Sequence, residues 1–269
     1  MYWQEVAETW LRQLVDGQRF GFITDVDGTI SHIAPVPDEA TVTEYSRHAL
    51  SILAEHLPLV GVISGRAAAD IHERVGVESL VYVGNHGLER WVDGDVMPNP
   101  DALQYRSALK AAKATIEEVL WPGMFIEDKR VTLSVHYRQA EDPDAVMTDL
   151  TSVMYDIADQ HGVRCFEGRR IFEFRPPIDK NKGSALIELI ADFELDTAIY
   201  LGDDVTDVDA FLMARRLRDI GTCYALAAGV ESADGDTPQA VRDEADFLVT
   251  GVSDVESLLS WFVDAVRAS

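Results

Sequence analysis

Cysteine is nearly missing from this chain: Cys165 and Cys223 are the only two in 269 residues. They are far apart and lack the spacing of a metal site, so two buried free thiols in a reducing compartment are expected. Positive charge is also scarce, with 23 Lys and Arg against 47 Asp and Glu and a formal net charge of -24. That balance argues against nonspecific binding to nucleic acid or to an anionic membrane, both of which call for a basic surface. An anionic substrate would need a local metal or basic groups to overcome the repulsion; a salt-tolerant surface is another reading of the same acidity. Long apolar runs are absent, and none approaches the roughly 18 residues of a membrane span. Residues Met1 to Gln18 place Trp3, Val6, Ala7, Trp10, Leu11 and Leu14 at amphipathic helical spacing, interrupted by acids. They show neither the basic start nor the unbroken apolar centre of a secretory signal. A soluble cytoplasmic protein is expected, with neither nucleic acid nor membrane as partner.

Apolar residues are plentiful: 47% of the chain is hydrophobic, enough for a substantial core. The length implies two domains or one large one. The organising stretch is Phe20 to Ile30, a short apolar strand that ends in Asp25-Val26-Asp27 and turns at Gly28. Residues two apart on an extended backbone point to the same side, so Asp25 and Asp27 emerge near one point. Two like charges that close repel unless a cation or a shared proton intervenes, which invites a hard metal such as Mg2+. A solvated turn after a strand is the plainer reading of Asp-x-Asp taken alone.

Further punctuations follow. A Pro-containing loop (Ser31 to Asp38) leads to a helix from about Glu39 to His56, with Ala40, Tyr45, Ala49, Leu50 and Leu53 as core positions. Leu57 to Ile63 reads as a strand buried on both faces and ends in Ser64-Gly65-Arg66, with a helix directly after. A hydroxyl there can bind an anion or simply cap the helix. Leu80 to Val83 is the next strand, ending in a tight Gly84-Asn85-His86-Gly87 loop. Strand, helix and strand alternating through short loops indicate a parallel α/β sheet, with ligands beyond the carboxyl ends of its strands.

The rhythm changes at Asp93 to Pro100, a turn-rich linker. Beyond it lie a helix over Leu103 to Leu120, a strand pair over Phe125 to Tyr137, a helix from about Pro143 to Gln160, and a hairpin of Val163 to Phe166 with Ile171 to Phe174. Val131, Leu133, Val135 and Tyr137 alternate with Thr132, Ser134, His136 and Arg138, giving a strand with one polar face, for which plain solvation is the alternative to a functional role. This makes a self-contained α+β unit, left at Pro176-Pro177. Lys182 then opens a helix through Ala185, Leu186, Leu189 and Ile190, where the helix dipole disfavours a cation unless an anion is near. Thr197 to Leu201 is a buried strand that runs into Asp203, Asp204, Asp207 and Asp209, either a metal site or an exposed acidic helix start. Strands near Cys223 to Leu226 and Phe247 to Val249, and a helix over Val255 to Arg267, complete the sheet.

Asp25-x-Asp27-Gly-Thr, Ser64-Gly-Arg66, Lys182-Gly and Gly-Asp203-Asp204-x-Thr-Asp207, in that order, resemble the four motifs of the haloacid dehalogenase superfamily of phosphatases. Asn85-His86-Gly87, Glu127-Asp128-Lys129, His136-Tyr137-Arg138, Glu173 and Lys182-Gly183-x-Ala185-Leu186 narrow the resemblance to trehalose-6-phosphate phosphatases, from about Phe20 onward. The resemblance implies a Rossmann-like core over residues 1–98 and 176–269 and an inserted, mobile α+β cap over 99–175. It implies Asp25 as nucleophile, Asp27 as acid and base, and Ser64 and Lys182 as phosphate ligands. Mg2+ would lie at Asp25, Asp203 and the Asp27 carbonyl, with Asp204 and Asp207 in support. Arg66, Asn85, His86, Glu127, Lys129, His136, Arg138 and Glu173 would serve the sugar phosphate, and a trehalose-6-phosphate synthase is an expected partner. Val208 stands where the family often carries an acid, and Arg169-Arg170 where it carries a lysine. Sucrose-phosphate or mannosyl-3-phosphoglycerate phosphatase, a phosphosugar mutase, and an inactive sugar-phosphate-binding module stay open as alternatives.

Overall fold

The apolar runs of the sequence become inner strands of one sheet because each presents buried side chains to both of its faces. The structure is a computed structural model and describes residues 1–34, 40–168, 170–232 and 235–268. The chain divides into two compact units, Met1–Met97 with Lys180–Ser269, and Pro98–Asp179.

The chain opens with α1 (Trp3–Val6), a π-helical turn (Ala7–Leu11) and α2 (Arg12–Val15). There follow β1 (Phe20–Thr24), α3 (Glu44–His56), β2 (Leu59–Ile63), α4 (Ala68–Val75), β3 (Val81–Gly84), β4 (Glu89–Val92) and β5 (Asp95–Pro98). The second unit holds α5 (Pro100–Leu103), α6 (Arg106–Glu117), β6 (Phe125–Asp128), β7 (Leu133–His136), α7 (Pro143–His161), β8 (Arg164–Gly168) and β9 (Ile171–Arg175). Back in the first unit come α8 (Lys182–Asp192), β10 (Thr197–Gly202), α9 (Val208–Asp219), β11 (Tyr224–Glu231), α10 (Gln239–Glu244), β12 (Phe247–Thr250) and α11 (Gly251–Ala268).

The large sheet has the order β12-β11-β10-β1-β2-β3-β4-β5 and is parallel from β12 to β3. From β1 the chain builds outward to β2 and β3 on one side; on the other it returns at β10 and continues to β11 and β12. The order therefore reverses between β1 and β10, the switch point where open α/β sheets form a crevice at their carboxyl ends. Alternation along the strands splits the core into two layers. Phe20, Phe22, Val60 and Val62 pack with Leu50 and Leu53 of α3 and Leu258 and Phe262 of α11. Ile23, Leu59 and Ile63 pack with Leu186 and Leu189 of α8 and Phe211 of α9.

Three expectations change. The helix expected from Glu39 begins at Glu44, where Thr43 caps it by accepting from the Ser46 amide; residues 35–39 lie outside the described residues. With that start, Ser46, Ala49, Leu50 and Leu53 form the buried stripe, and Tyr45, expected in the core, falls beside it at 46% exposure. The turn-rich linker is largely a hairpin turn and β5, which pairs with β4: Asp93 and Gly94 both take positive φ (51° and 86°), the two-residue turn of a tight hairpin.

In the second unit the sheet runs β6-β7-β9-β8, antiparallel throughout. Leu133, Val135, Phe172 and Phe174 pack on Leu109 and Ile116 of α6 and Val146, Leu150 and Met154 of α7. The alternate residues make the polar face, and its centre is not solvated: Thr132 and Ser134 are buried. Cys165 and Cys223 are buried free thiols, each pushed up to about 12 by burial.

Candidate active site

Three parallel strands end side by side at the switch point. Thr24 of β1 is level with Leu201 of β10 and Val62 of β2, so Asp25, Asp203 and Ser64 all follow within two residues of one line. The Asp25 amide donates to Leu201 O at 2.8 Å, which prolongs the β1–β10 pairing and fixes the first carboxylate. Gly28 makes the turn with φ of 79°. A Cβ at that position would stand 2.0 Å from Asp203 Oδ2, so only glycine lets the turn pack this closely on the second acidic loop.

Lys182 resolves the oddity of a cation at a helix start. Asn181 caps α8 by accepting from the Ser184 amide, and the buried Lys182 ammonium sits 2.7 Å from Asp207 Oδ1 and 3.1 Å from Asp25 Oδ1. Asp207 is wholly buried and engaged at both oxygens. Oδ1 accepts from Lys182 and from Tyr200 OH (2.5 Å), and Oδ2 from the amides of Asp203 (3.2 Å) and Asp204 (3.1 Å). Burial pushes Asp25 up to about 7 against the pull of Lys182, and Asp207 and Asp27 add repulsion. Burial also raises Asp203 well above the usual carboxylate range, helped by Asp25 and Asp207. For Lys182 burial works downward, but the charges of Asp207 and Asp25 outweigh it and raise the ammonium.

This cluster fits a divalent cation. Asp25, Asp203 and Asp207 bring one carboxylate oxygen each within 4.8 Å of one another. Asp203 Oδ1 is buried with no hydrogen-bond partner among the described residues, and Asp25 Oδ1, equally buried, has only the ion-pair contact of Lys182 at 3.1 Å. Three carboxylates against one ammonium leave an excess that a divalent ion would balance, and all-oxygen donors match a hard ion. Since both Asp207 oxygens are taken, Asp25 and Asp203 are the better ligands and Asp207 the support. The carboxylates of Asp27 and Asp204 stand outside this group.

Asp27 turns instead to Arg66, whose Nε and Nη2 donate to its two oxygens at 2.6 and 2.8 Å. Ser64 is buried at the end of β2, and it is not the cap of α4. Ala67 occupies the N-cap position, and the Ala68 amide donates to buried Glu89 Oε1 at 2.7 Å. Asn85 and His86 are buried with positive φ (49° and 57°) and are tied to the Ser64 loop through their backbones. The Asn85 amide donates to Arg66 O (2.8 Å) and the His86 amide to Ser64 O (2.9 Å).

On the second unit's polar face, Glu127, Lys129, His136 and Glu173 come together. His136 Nε2 is 2.9 Å from Glu127 Oε2, and Lys129 Nζ lies 3.7 Å from carboxylate oxygens of both Glu127 and Glu173. Three residues not singled out in the sequence join them. Arg175 Nε donates to Glu173 Oε2 at 2.9 Å and covers the Phe166 ring at 4.9 Å, and Phe125 stacks on His136 at 4.6 Å. The period of two was the available signal, since Arg175 shares the face of Glu173 and Phe125 that of Glu127. Arg138 is half-buried beyond β7. Arg170 pairs with Asp144 at 2.6 Å, and Arg169 lies outside the described residues.

A parallel sheet with acidic loops after β1 and β10, a hydroxyl after β2, a buried lysine opening α8 and an inserted α+β unit is the fold class of the haloacid dehalogenase type. A model of the trehalose-phosphatase family matches residues 23–238, and the chain belongs to that family. Trehalose-phosphate phosphatase of Mycobacterium marinum is 38% identical over 195 residues, covering 70% of this chain and 49% of that protein. The chain thus spans about half the length of the curated relatives it matches first. Among solved structures, the C-terminal domain of C. albicans trehalose-6-phosphate phosphatase aligns with TM-score 0.77 at 23% identity, over 96% of this chain and 97% of that one. A trehalose-6-phosphate phosphatase related protein aligns with TM-score 0.75 at 23% identity, over 93% of this chain and 100% of that one. At such identity these two bear on the fold.

Proposed function

We propose that the chain is a Mg2+-dependent phosphatase that hydrolyses trehalose 6-phosphate to trehalose and phosphate through an aspartyl-phosphate. The observation that carries this reading is the buried Asp25–Lys182–Asp207–Asp203 cluster, in which three carboxylates face one ammonium and Asp203 Oδ1 has no hydrogen-bond partner among the described residues. Asp25 attacks phosphorus while the bond to the sugar oxygen breaks, and Asp27 gives that oxygen a proton. Water then attacks the aspartyl-phosphate, surrendering its proton to Asp27, and phosphate leaves. Lys182 and Ser64 hold the phosphoryl oxygens as charge spreads over them. Asp25 and Asp203 would hold Mg2+, which when bound neutralises carboxylate and phosphate charge together.

The second unit, read as the cap, supplies the sugar recognition. A hydroxyl-rich ligand needs several fixed polar partners, and Glu127, Lys129, His136 and Glu173 offer them on one sheet face. Arg66, Asn85 and His86 act here mainly by shaping the phosphate loop, since the Arg66 fork is spent on Asp27. The reading places the protein in the cytoplasm, with a trehalose-6-phosphate synthase as the source of substrate; no helix of the described residues is long and apolar enough to cross a membrane. Phosphate release across trehalose 6-phosphate, sucrose 6-phosphate, glucose 6-phosphate and mannosyl-3-phosphoglycerate, with and without Mg2+, tests it. Trehalose 6-phosphate should be used with the highest efficiency and only with the metal. A better substrate among the other three, or indifference to Mg2+, overturns it.

A further inference from the structure

Arg66 is gripped at both ends. Its Nε and Nη2 fork onto Asp27, and its remaining nitrogen, Nη1, donates to Asp70 Oδ2 at 3.0 Å. Asp70 accepts from Arg74 Nε at 2.8 Å at both of its oxygens. Arg74 is anchored in turn: its Nη1 donates to Ala40 O at 2.8 Å, and its own carbonyl accepts from Arg47 Nη2 at 3.0 Å. Asp70 and Arg74 sit one turn apart on α4, a helix whose start is pinned by Glu89 from the neighbouring strand. For Asp70 burial works upward, but the hydrogen bonds from Arg74 and Arg66 outweigh it and hold the carboxyl below its ordinary range.

This chain of contacts ties the Arg66 guanidinium to a fixed point on α4. Asp27 lies in the turn after β1 with its side chain 35% exposed, so little besides Arg66 orients it. Arginine has a long flexible stem, and each contact that ties its guanidinium to the scaffold limits how far it can swing with the Asp27 carboxylate. Bound also to Asp70, whose place is set by α4 and by the sheet behind it, the guanidinium becomes a rigid bracket.

We propose that Asp70 is a positioning residue for the reaction, acting through Arg66 to aim the Asp27 carboxyl at the leaving sugar oxygen. The proposal rests on the reading of Asp27 as acid and base given above. It has a chemical signature. When a sugar phosphate is cleaved, the electron pair of the breaking bond goes to a sugar oxygen that must take a proton from Asp27. p-Nitrophenolate leaves as a stable anion and takes none, so in kcat/KM, which reports the steps up to departure of the leaving group, misaiming Asp27 slows the first ester and spares the second.

The test is kcat/KM of the full chain with Mg2+ on both esters, for wild type and Asp70→Asn. We expect about a tenfold loss on trehalose 6-phosphate and less than about a twofold change on p-nitrophenyl phosphate. In an Asp27→Asn background, Asp70→Asn should change the sugar-phosphate value by less than about twofold, because its target is already gone. Equal losses on the two esters, or the same loss with and without Asp27, would make Asp70 merely structural and overturn the proposal. If Asp70→Asn does not fold, Arg74→Gln makes the same test one contact further out, with a selective loss of about threefold expected and an unselective one overturning it. Should wild type prefer another sugar phosphate, that ester replaces trehalose 6-phosphate in the comparison. The substrate reading then fails while the positioning role is still measured.

Discussion

In the first unit, Asp207 accepts four hydrogen bonds and Lys182 stands within 3.1 Å of two carboxylates, all of them buried. In the second unit, Lys129 reaches Glu127 and Glu173 only at 3.7 Å, and the Glu127 side chain is 44% exposed. Both clusters set carboxylates around a buried lysine, but they differ in how tightly that lysine is held: at 2.7 and 3.1 Å in the first and at 3.7 Å in the second. Closely bound charges in a dry site cost no reorganisation when a reaction develops charge there, which suits a phosphoryl group. Longer ion pairs are cheaper to rearrange around hydroxyls, which suits a neutral sugar. On the proposed reading, chemistry and selectivity therefore fall to different units.

The sharpest way to break that division is at the nucleophile. Asp25→Asn should remove turnover of every phosphate ester, by on the order of 10⁴-fold or more, with circular dichroism unchanged. Near-normal phosphate release from folded Asp25→Asn would end the covalent mechanism. Asp27→Asn follows with a loss of about 10²- to 10⁴-fold on sugar phosphates. In the second unit, Glu127→Ala or Glu173→Ala should cost about 10- to 100-fold in kcat/KM on trehalose 6-phosphate, the worth of one charge-assisted bond. The same variants should leave p-nitrophenyl phosphate almost untouched. If both esters slowed alike, selectivity would not reside on that face.

The smallest expected effect is on stability. Asp25 is raised from 3.8 to about 7 in the folded protein, so the folded state binds the extra proton between those values. Its contribution is fully present below about 3.8 and is lost as pH rises through about 7; Asp203, raised in the same direction, reinforces the trend. The metal-free protein should accordingly melt at lower temperature at pH 8 than at pH 6, and saturating Mg2+ should flatten that difference. A melting temperature independent of metal across this range would count against a cation at the cluster.

Much of the frame was legible because burial leaves a local mark. Phe20 to Thr24, Leu59 to Ile63 and Thr197 to Leu201 are apolar on both parities, which only a strand covered on two faces tolerates. Lys182 was legible as an anomaly, a cation at a helix start, and its anions prove to include Asp25 and Asp207. Pairings made across the fold leave no such mark. Arg66 meets Asp27 over a separation of 39 residues, and Glu89 caps α4 from another strand, so nothing near either residue announces its partner. The Asp93-Gly94 turn is a different kind of miss. Its positive-φ dipeptide is a hairpin signal, hidden because the prolines that follow resemble a linker.

The placement of β1 has a consequence for how the molecule is made. Residue 20 pairs with residue 197, so one side of the central strand stays without its neighbour until more than two thirds of the chain has been synthesised. The 98–179 unit, complete with its own core, is synthesised in full before residue 197 is added. The same interval leaves the edge of a very apolar strand open to wrong partners. The -24 net charge, which weighs against the binding of anions, also keeps unfinished chains apart.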